Sequence, residues 1–318
     1  MQVVRHLLNV QKTIRGNVFA IGNFDGVHFG HRALINGALE IASSKRVPLS
    51  VLTFEPHPRS VLANRPPPFR LSSFRGKVRE IGALGATALV ALRFDKDLAR
   101  VSAVDFVKDV IIGRLGASHV VVGYDFVFGR ERSGNASLLR QMSRDLGFGL
   151  TVIEPVERNG HIFASGQIRD ALRNGEVKRA ASLLGRWWEI EGRVCMGYKR
   201  GTEIGFPTIN LKLGDYVQPR LGIYASRVAV PEDDGTVWRN AVTYIGRRPT
   251  FNGENVVPET HIFNFNSNIY TKRARVALIR FIRDDRHFDD IDTLRKQINV
   301  DCEDAMRTHD NPPSLPSF

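Results

Sequence analysis

A chain of 318 residues, 42% hydrophobic and 25% charged, has an ordinary globular composition and room for two domains, which excludes a fibrous or wholly disordered protein. No apolar run reaches membrane-spanning length, and the opening MQVVRHLLNVQKTIRG lacks the apolar core and small-residue cleavage site of a signal peptide, so neither a membrane partner nor export is expected. A formal net charge of +12 implies anionic partners; the basic residues are spread rather than gathered in one run, which favours small phosphorylated ligands over nucleic acid. Cys195 and Cys302 have no metal-ligand spacing and fit free thiols in the cytoplasm. Oligomeric state is open at this level.

Residues 1–16 read as a lead-in strand or helix. From about 17 to 155, short apolar runs (17–22, Leu49–Phe54, Thr87–Leu92, His119–Val122, Leu150–Glu154) alternate with helical patterns near 31–45, 74–84, 103–115 and 136–146. This rhythm predicts a parallel sheet with helices on both faces, and right-handed crossovers place the strand C-termini on one edge. Three motifs fall at such ends. The first is GNFDGVHFGH, residues 22–31. Gly22, Gly26 and Gly30 allow a sharp turn and close approach to a ligand. The helix that follows offers free N–H groups to a phosphate, and His28 and His31, three residues apart, can face one anion. The second motif is TFEPHP, Thr53 to Pro58, in which Pro56 and Pro58 hold His57 at the rim of the strand. The third is VVGYDFVFGRERSG, Val121 to Gly134. There Asp125 is a polar group at the pocket edge, and Arg130 and Arg132 can meet phosphates. A fourth element, HIFASGQIRDAL, is a polar turn leading into a helix that carries Arg169.

The helical stretch 167–184 ends at Leu184-Gly185, and the domain boundary is expected near 185. Beyond it, strand signals dominate: Trp188–Cys195, Ile223–Val230, Val237–Ile245, Glu259–Phe263 and Arg275–Ile282, which predict a small antiparallel barrel. A final helix follows, capped by Asp289 or Asp290, with Ile291, Leu294, Ile298, Cys302 and Ala305 on one face. The expected layout is thus 1–185, 186–308 and a disordered tail, 309–318. GYKRGTEIGFPTINL holds Gly197, Gly201 and Gly205 in a loop with Lys199 and Arg200, suited to covering phosphates. If Pro207 to Asn210 is extended, Thr208 and Asn210 face one side and offer hard oxygen ligands to Mg²⁺.

His28-Phe29-Gly30-His31 resembles the H-x-G-H pattern of the nucleotidyltransferase superfamily. The longer string around it resembles the N-terminal module of bacterial bifunctional riboflavin kinase/FAD synthetases. GFPTIN, IGRRPTF and PETHIFNFNSNIY resemble the riboflavin kinase half of that family. The resemblance covers residues from about 15 to 306. It implies a Rossmann-like α/β nucleotidyltransferase domain followed by a β-barrel kinase domain with a C-terminal helix. It implies ATP as co-substrate, Mg²⁺, and riboflavin, FMN and FAD as the flavins handled. It implies His28 and His31 as catalytic groups of FMN adenylylation and Glu259 as the catalytic carboxylate of riboflavin phosphorylation, with Thr208 and Asn210 as metal ligands. It extends the binding set to Gly22, Asn23, Phe24, Asp25, Gly30, His57, Asp125, Phe128, Arg132, Ser165, Arg169, Gly197, Lys199, Gly201 and Gly205. The chain departs from the family pattern at Ala164, Gly166, Met196, Tyr198, Tyr244 and Asn264. These departures leave open retention of one activity only, and the +12 charge leaves open a non-catalytic flavin- or RNA-binding regulator.

Overall fold

The structure is a computed structural model that describes residues 1–5, 14–63, 67–158, 161–196, 200–232, 235–250 and 253–310. The chain divides into two compact units, Met1–Pro67 with Phe74–Ala164, and Pro68–Ser73 with the chain from Ser165 onward.

The first unit contains β1 (Gln2–Val4), β2 (Val18–Ile21), α1 (Phe29–Lys45), β3 (Leu49–Phe54), α2 (Pro58–Leu62), α3 (Phe74–Ala83), β4 (Ala88–Leu92), α4 (Lys96–Arg100), α5 (Ala103–Asp105), β5 (His119–Gly123), α6 (Ala136–Leu146), β6 (Gly149–Ile153), β7 (Glu157–Arg158) and β8 (His161–Ile162). After α5 the helix widens into π geometry over Phe106–Arg114 and keeps Phe106, Val107, Val110 and Ile111 buried. The lead-in is therefore a strand, while residues 6–13 lie outside the described part. Six strands form one parallel sheet in the order β1-β4-β3-β2-β5-β6. β2 and β3 are buried along their whole length, as strands covered on both faces must be. One core holds Leu34, Ile35 and Ala38 of α1 with Ile81 of α3; a second, separate core holds Phe106, Val107 and Ile111 with Leu139 of α6. From β2 the chain steps outward to β3 and β4, then returns to place β5 on the other side of β2. Such a reversal opens a crevice beyond the C-terminal ends of β2 and β5.

The second unit contains α7 (Ser165–Arg173), α8 (Val177–Leu184), β9 (Glu189–Arg193), α9 (Arg200–Glu203), β10 (Ile209–Asn210), β11 (Gly222–Glu232), β12 (Gly235–Thr250), β13 (Gly253–Ile262), β14 (Arg273–Arg283) and α10 (Ile291–Asp310). Its sheet is antiparallel, in the order β10-β13-β12-β11-β14-β9. The expected barrel is a curled half-barrel whose two edges meet where Cys195 N donates to Asn210 O at 2.8 Å.

Two helices differ in extent from expectation. The stretch 167–184 is two helices rather than one, because Gly175 adopts φ +78° between them, a conformation that ends a helix. This pair belongs with the second unit and not the first. Its Ile168, Leu172, Val177 and Leu184 are buried in one core with Trp188, Tyr224 and Leu278. By contact alone, the chain divides at Ala164/Ser165. Residues 68–73 join this unit too: Arg70 N donates to Asp215 O at 2.8 Å, and Trp188 Nε1 donates to Leu71 O at 2.9 Å. Finally, α10 runs through His309 and Asp310, which the sequence places in the tail. His309 Nε2 donates to Ala241 O at 3.2 Å and pins the last turn; residues 311–318 lie outside the described part. Asp290 caps α10, accepting from Thr293 N at 2.7 Å. Cys302 lies on the buried face of α10, and its thiol is pushed up to about 12, first by burial and then by Asp301 and Glu303.

Candidate functional sites

The GNFDGVHFGH turn leaves β2 at the reversal point of the parallel sheet. Its backbone is unusual: Phe24 and Val27 have φ of +48° and +45°, and Gly26 has +85°. His28 is the extended residue that precedes α1, and its ring is buried at 6% exposure. The two imidazoles stack, with ring centroids 3.7 Å apart and planes 21° from parallel. A Cβ on Gly30 would lie 3.3 Å from the His28 ring and 3.4 Å from Phe163 O, so glycine makes room for the pair. Phe24 meets His31 edge-on at 5.3 Å. A Cβ on Gly22 would lie 3.1 Å from the Phe24 ring. The structure thus brings Gly22, Phe24, His28, Gly30 and His31 together; Asp25 is buried in the same turn and Asn23 is exposed. Two oriented imidazoles beside a helix start suit a multiply charged phosphate chain.

His57 stands at the exit of β3, where its Nδ1 accepts from Arg59 N at 3.1 Å and caps α2. In the segment after β5, Asp125 and Arg132 are exposed. Phe128, expected in the binding set, is buried with Phe106 at 5.8 Å and stacked on Phe126 at 5.4 Å. Its backbone pairs with Gly134 in both directions, at 3.1 and 2.8 Å, and closes the loop. Ser165 opens α7 in the second unit, and the neighbouring Gly166 has open space where a Cβ would stand. Arg169 donates Nε to Phe69 O at 2.7 Å and lies over the Phe69 ring at 5.6 Å, so it holds the 68–73 segment within its own unit.

The second site is built by strand register. Asn210 of β10 pairs directly with Glu259 of β13, which pairs in turn with Tyr244 of β12. Directly opposed residues of antiparallel strands project on the same face, so the amide, the carboxylate and the phenol form one row. Asn210 is 5% exposed, and its Oδ1 accepts no hydrogen bond from the described residues. A buried carbonyl oxygen left this way suits a cation, and Thr208 adds a hydroxyl two residues upstream. The residues present therefore fit Mg²⁺. Among the described residues no group of three His, Cys, Asp or Glu could hold a metal. Pro207, Thr208, Thr260, Phe265, Asn268 and Tyr270 line an adjoining recess. The PTIN segment is anchored where His261 Nδ1 donates to Pro207 O at 2.8 Å. Upstream, Phe206 N donates to Gly201 O at 2.7 Å, and Gly205 takes φ +92°, so both glycines shape the loop; Gly197 and Lys199 lie outside the described residues. Tyr244 donates its hydroxyl to Asp285 at 2.9 Å.

Sequence reading missed Lys77. Its Nζ donates to Asn23 O at 2.7 Å and to Thr53 Oγ1 at 3.3 Å, from a side chain that is 0% exposed. One signal was available: Lys77 falls between Phe74 and Ile81 on the apolar face of α3.

A parallel α/β unit and a curled antiparallel unit, each with its own polar cluster, are compatible with a nucleotide-dependent transferase of phosphorus-containing groups. Residues 10–167 match the family model described as FAD synthetase, and residues 184–309 match that described as riboflavin kinase. The chain belongs to the family of bifunctional riboflavin kinases/FMN adenylyltransferases. It is 34% identical to the Haemophilus influenzae member over 96% of this chain and 98% of that one. It is 36% identical to the Bacillus subtilis member over 93% of each. A solved structure described as a macrolide-efflux protein from Streptococcus pneumoniae is also similar, with TM-score 0.84 and 29% identity over 96% of this chain and 99% of that one. Among the described residues no helix is long and apolar enough to cross a membrane.

Proposed function

We propose that the crevice beyond β2 and β5 is the FMN adenylyltransferase centre and that the β10–β13 face is the riboflavin kinase centre. One chain then converts riboflavin to FMN and FMN to FAD, with ATP as co-substrate of each step. The observation that carries the assignment is the partition of groups: a stacked histidine pair in one unit, and Asn210 in register with Glu259 in the other.

In the kinase centre the ribityl 5′-hydroxyl attacks the γ-phosphorus of ATP, and Glu259 accepts its proton as the bond to ADP breaks. Thr208 Oγ1 and Asn210 Oδ1 would hold Mg²⁺, which supplies charge neutralisation to the phosphates when bound. In the other centre an oxygen of the FMN phosphate attacks the α-phosphorus of ATP, and pyrophosphate leaves. No protein nucleophile is needed. His28 and His31, with the N–H groups at the start of α1, stabilise the charge that develops on the triphosphate. Asp125, Arg132 and His57 contribute at the rim. The reaction belongs in the cytoplasm, which fits the two free cysteines.

The test is a separation of activities. Flavin-free protein incubated with riboflavin, ATP and Mg²⁺ should yield FMN and then FAD on chromatography. His31→Ala should abolish FAD formation and leave FMN formation intact; Glu259→Gln should stop FMN formation and still make FAD from supplied FMN. If both variants, still folded, lose both activities, the two-site assignment is wrong.

A further inference from the structure

A fully buried lysine demands an explanation. Removing an ammonium group from water is costly, and methionine would fill the same space without that cost. Lys77 lies on the buried face of α3. Its Nζ donates to Asn23 O at 2.7 Å and to Thr53 Oγ1 at 3.3 Å, and Glu55 Oε2 is 3.9 Å away. Thr53 Oγ1 itself donates to Asn23 O at 3.1 Å. One cation therefore ties the turn after β2 to the end and exit of β3.

The carbonyl it holds belongs to the peptide that leads into Phe24. Phe24 has φ +48°, a left-handed conformation that a bulky residue keeps only when its surroundings impose it. Anchoring Asn23 O fixes that peptide plane, and with it the direction in which the Phe24 side chain leaves the backbone. The Phe24 ring then abuts His31 at 5.3 Å, and His31 stacks on His28 at 3.7 Å. A continuous chain of contacts runs from the Lys77 ammonium through the Asn23 carbonyl and the Phe24 ring to both imidazoles.

We infer that Lys77 is a positioning residue of the adenylyl-transfer centre, which holds His31 and His28 in place by locking the strained turn between β2 and α1. The inference rests on the assignment of those histidines to adenylyl transfer. Lys77 acts from beneath the site and touches neither nucleotide nor flavin. Its charge sets it apart from an ordinary core residue: a single ammonium donates to Asn23 O and Thr53 Oγ1 at once, which no apolar side chain can do.

The experiment uses the full-length protein. Lys77→Met keeps the length of the side chain and removes the charge and both hydrogen bonds. With FMN and ATP, kcat for FAD formation should fall about 100-fold, the scale of a misplacement near 1 Å, while KM for ATP stays near the wild-type value. Riboflavin phosphorylation by the same sample reports the amount of folded enzyme. NMR resonances of the His28 and His31 rings should shift in the variant without any turnover. Thr53→Val, nearly isosteric, removes the hydroxyl's hydrogen bonds from Lys77 and to Asn23 O; it should lower kcat in the same direction by about tenfold, and it carries the test if Lys77→Met does not fold. An unchanged kcat in whichever of the two variants folds overturns the inference, as do histidine resonances identical to wild type in Lys77→Met. If His31→Ala itself retains FAD formation, it is the histidine assignment that fails, and the resonances alone then decide whether Lys77 positions the rings.

Discussion

In the first unit the two stacked imidazoles are three positions apart in the sequence and meet because a left-handed turn runs into a helix start. In the second, Asn210 and Glu259 belong to strands far apart in the chain and meet only through the β10–β13 register. The first site is therefore a local device that a parallel sheet presents at its crevice; the second is a product of pairing. A local turn fails when its strain is no longer held in place, whereas a register-built row fails when its strands or their cover shift.

The largest expected effect is the separation itself, with His31→Ala and Glu259→Gln each abolishing one activity. Loss of both in either folded variant would erase the contrast. Next is Arg283→Met. Arg283 clamps Asp301 of α10 through two hydrogen bonds at 2.8 and 2.6 Å, with the Asp301 side chain only 3% exposed. Removing the guanidinium leaves Asp301 with Gln297 alone and should cost about 3–5 kcal/mol in urea unfolding, since a buried charge has lost its partner. Cys302 and Ala305 of α10 pack on Ile223 and Val242, with Tyr244 beside them. FMN formation should therefore fall in this variant before FAD formation does. An equal fall in both would show that the register-built site does not depend on its helix cover.

Gly134→Ala probes the first unit. Its Cβ would lie 2.6 Å from the Phe128 ring and 2.8 Å from Ala103 Cβ, so the loop after β5 must give way at about 1–3 kcal/mol, read from the thermal midpoint. FAD formation should suffer and FMN formation should not. The smallest effect is one of pH. His119 in the first unit and His309 in the second are both held below the ordinary histidine value, chiefly by burial; Lys45 adds to the effect at His119, and the bond to Ala241 opposes it at His309. The unfolded chain takes up protons first as pH falls through about 6.5, so the stability from each neutral histidine is present above that value and is lost below it. Melting temperature should drop between about pH 7.5 and about pH 5.5, and by less in His119→Asn and His309→Asn. Equal slopes in wild type and variants would refute this.

Much of this was legible in the residues. β3, Leu49–Phe54, and α6, Ala136–Leu146, coincide with their expected ranges, because a short, mostly apolar run and a sharply amphipathic one are both strong local signals. Gly175 inside a helical pattern was harder to weigh, since only its φ of +78° shows that it ends α7 rather than merely weakening a longer helix. The family motifs exposed the candidate chemistry, but not the use of each residue. Phe128, expected in a binding loop, also packs in the core, and Arg169, expected in the binding set, also holds Phe69.

By itself the sequence determined the order of strands and helices, the two motif sets and the anionic character of the ligands, because these depend on neighbouring residues and on composition. Tertiary structure alone decided that α7 and α8 join the second unit, that Glu259 stands opposite Asn210, and that Lys77 supports the Phe24 turn. Each of those depends on contacts between segments distant in the chain, where burial and hydrogen bonding select one partner from many of similar local propensity.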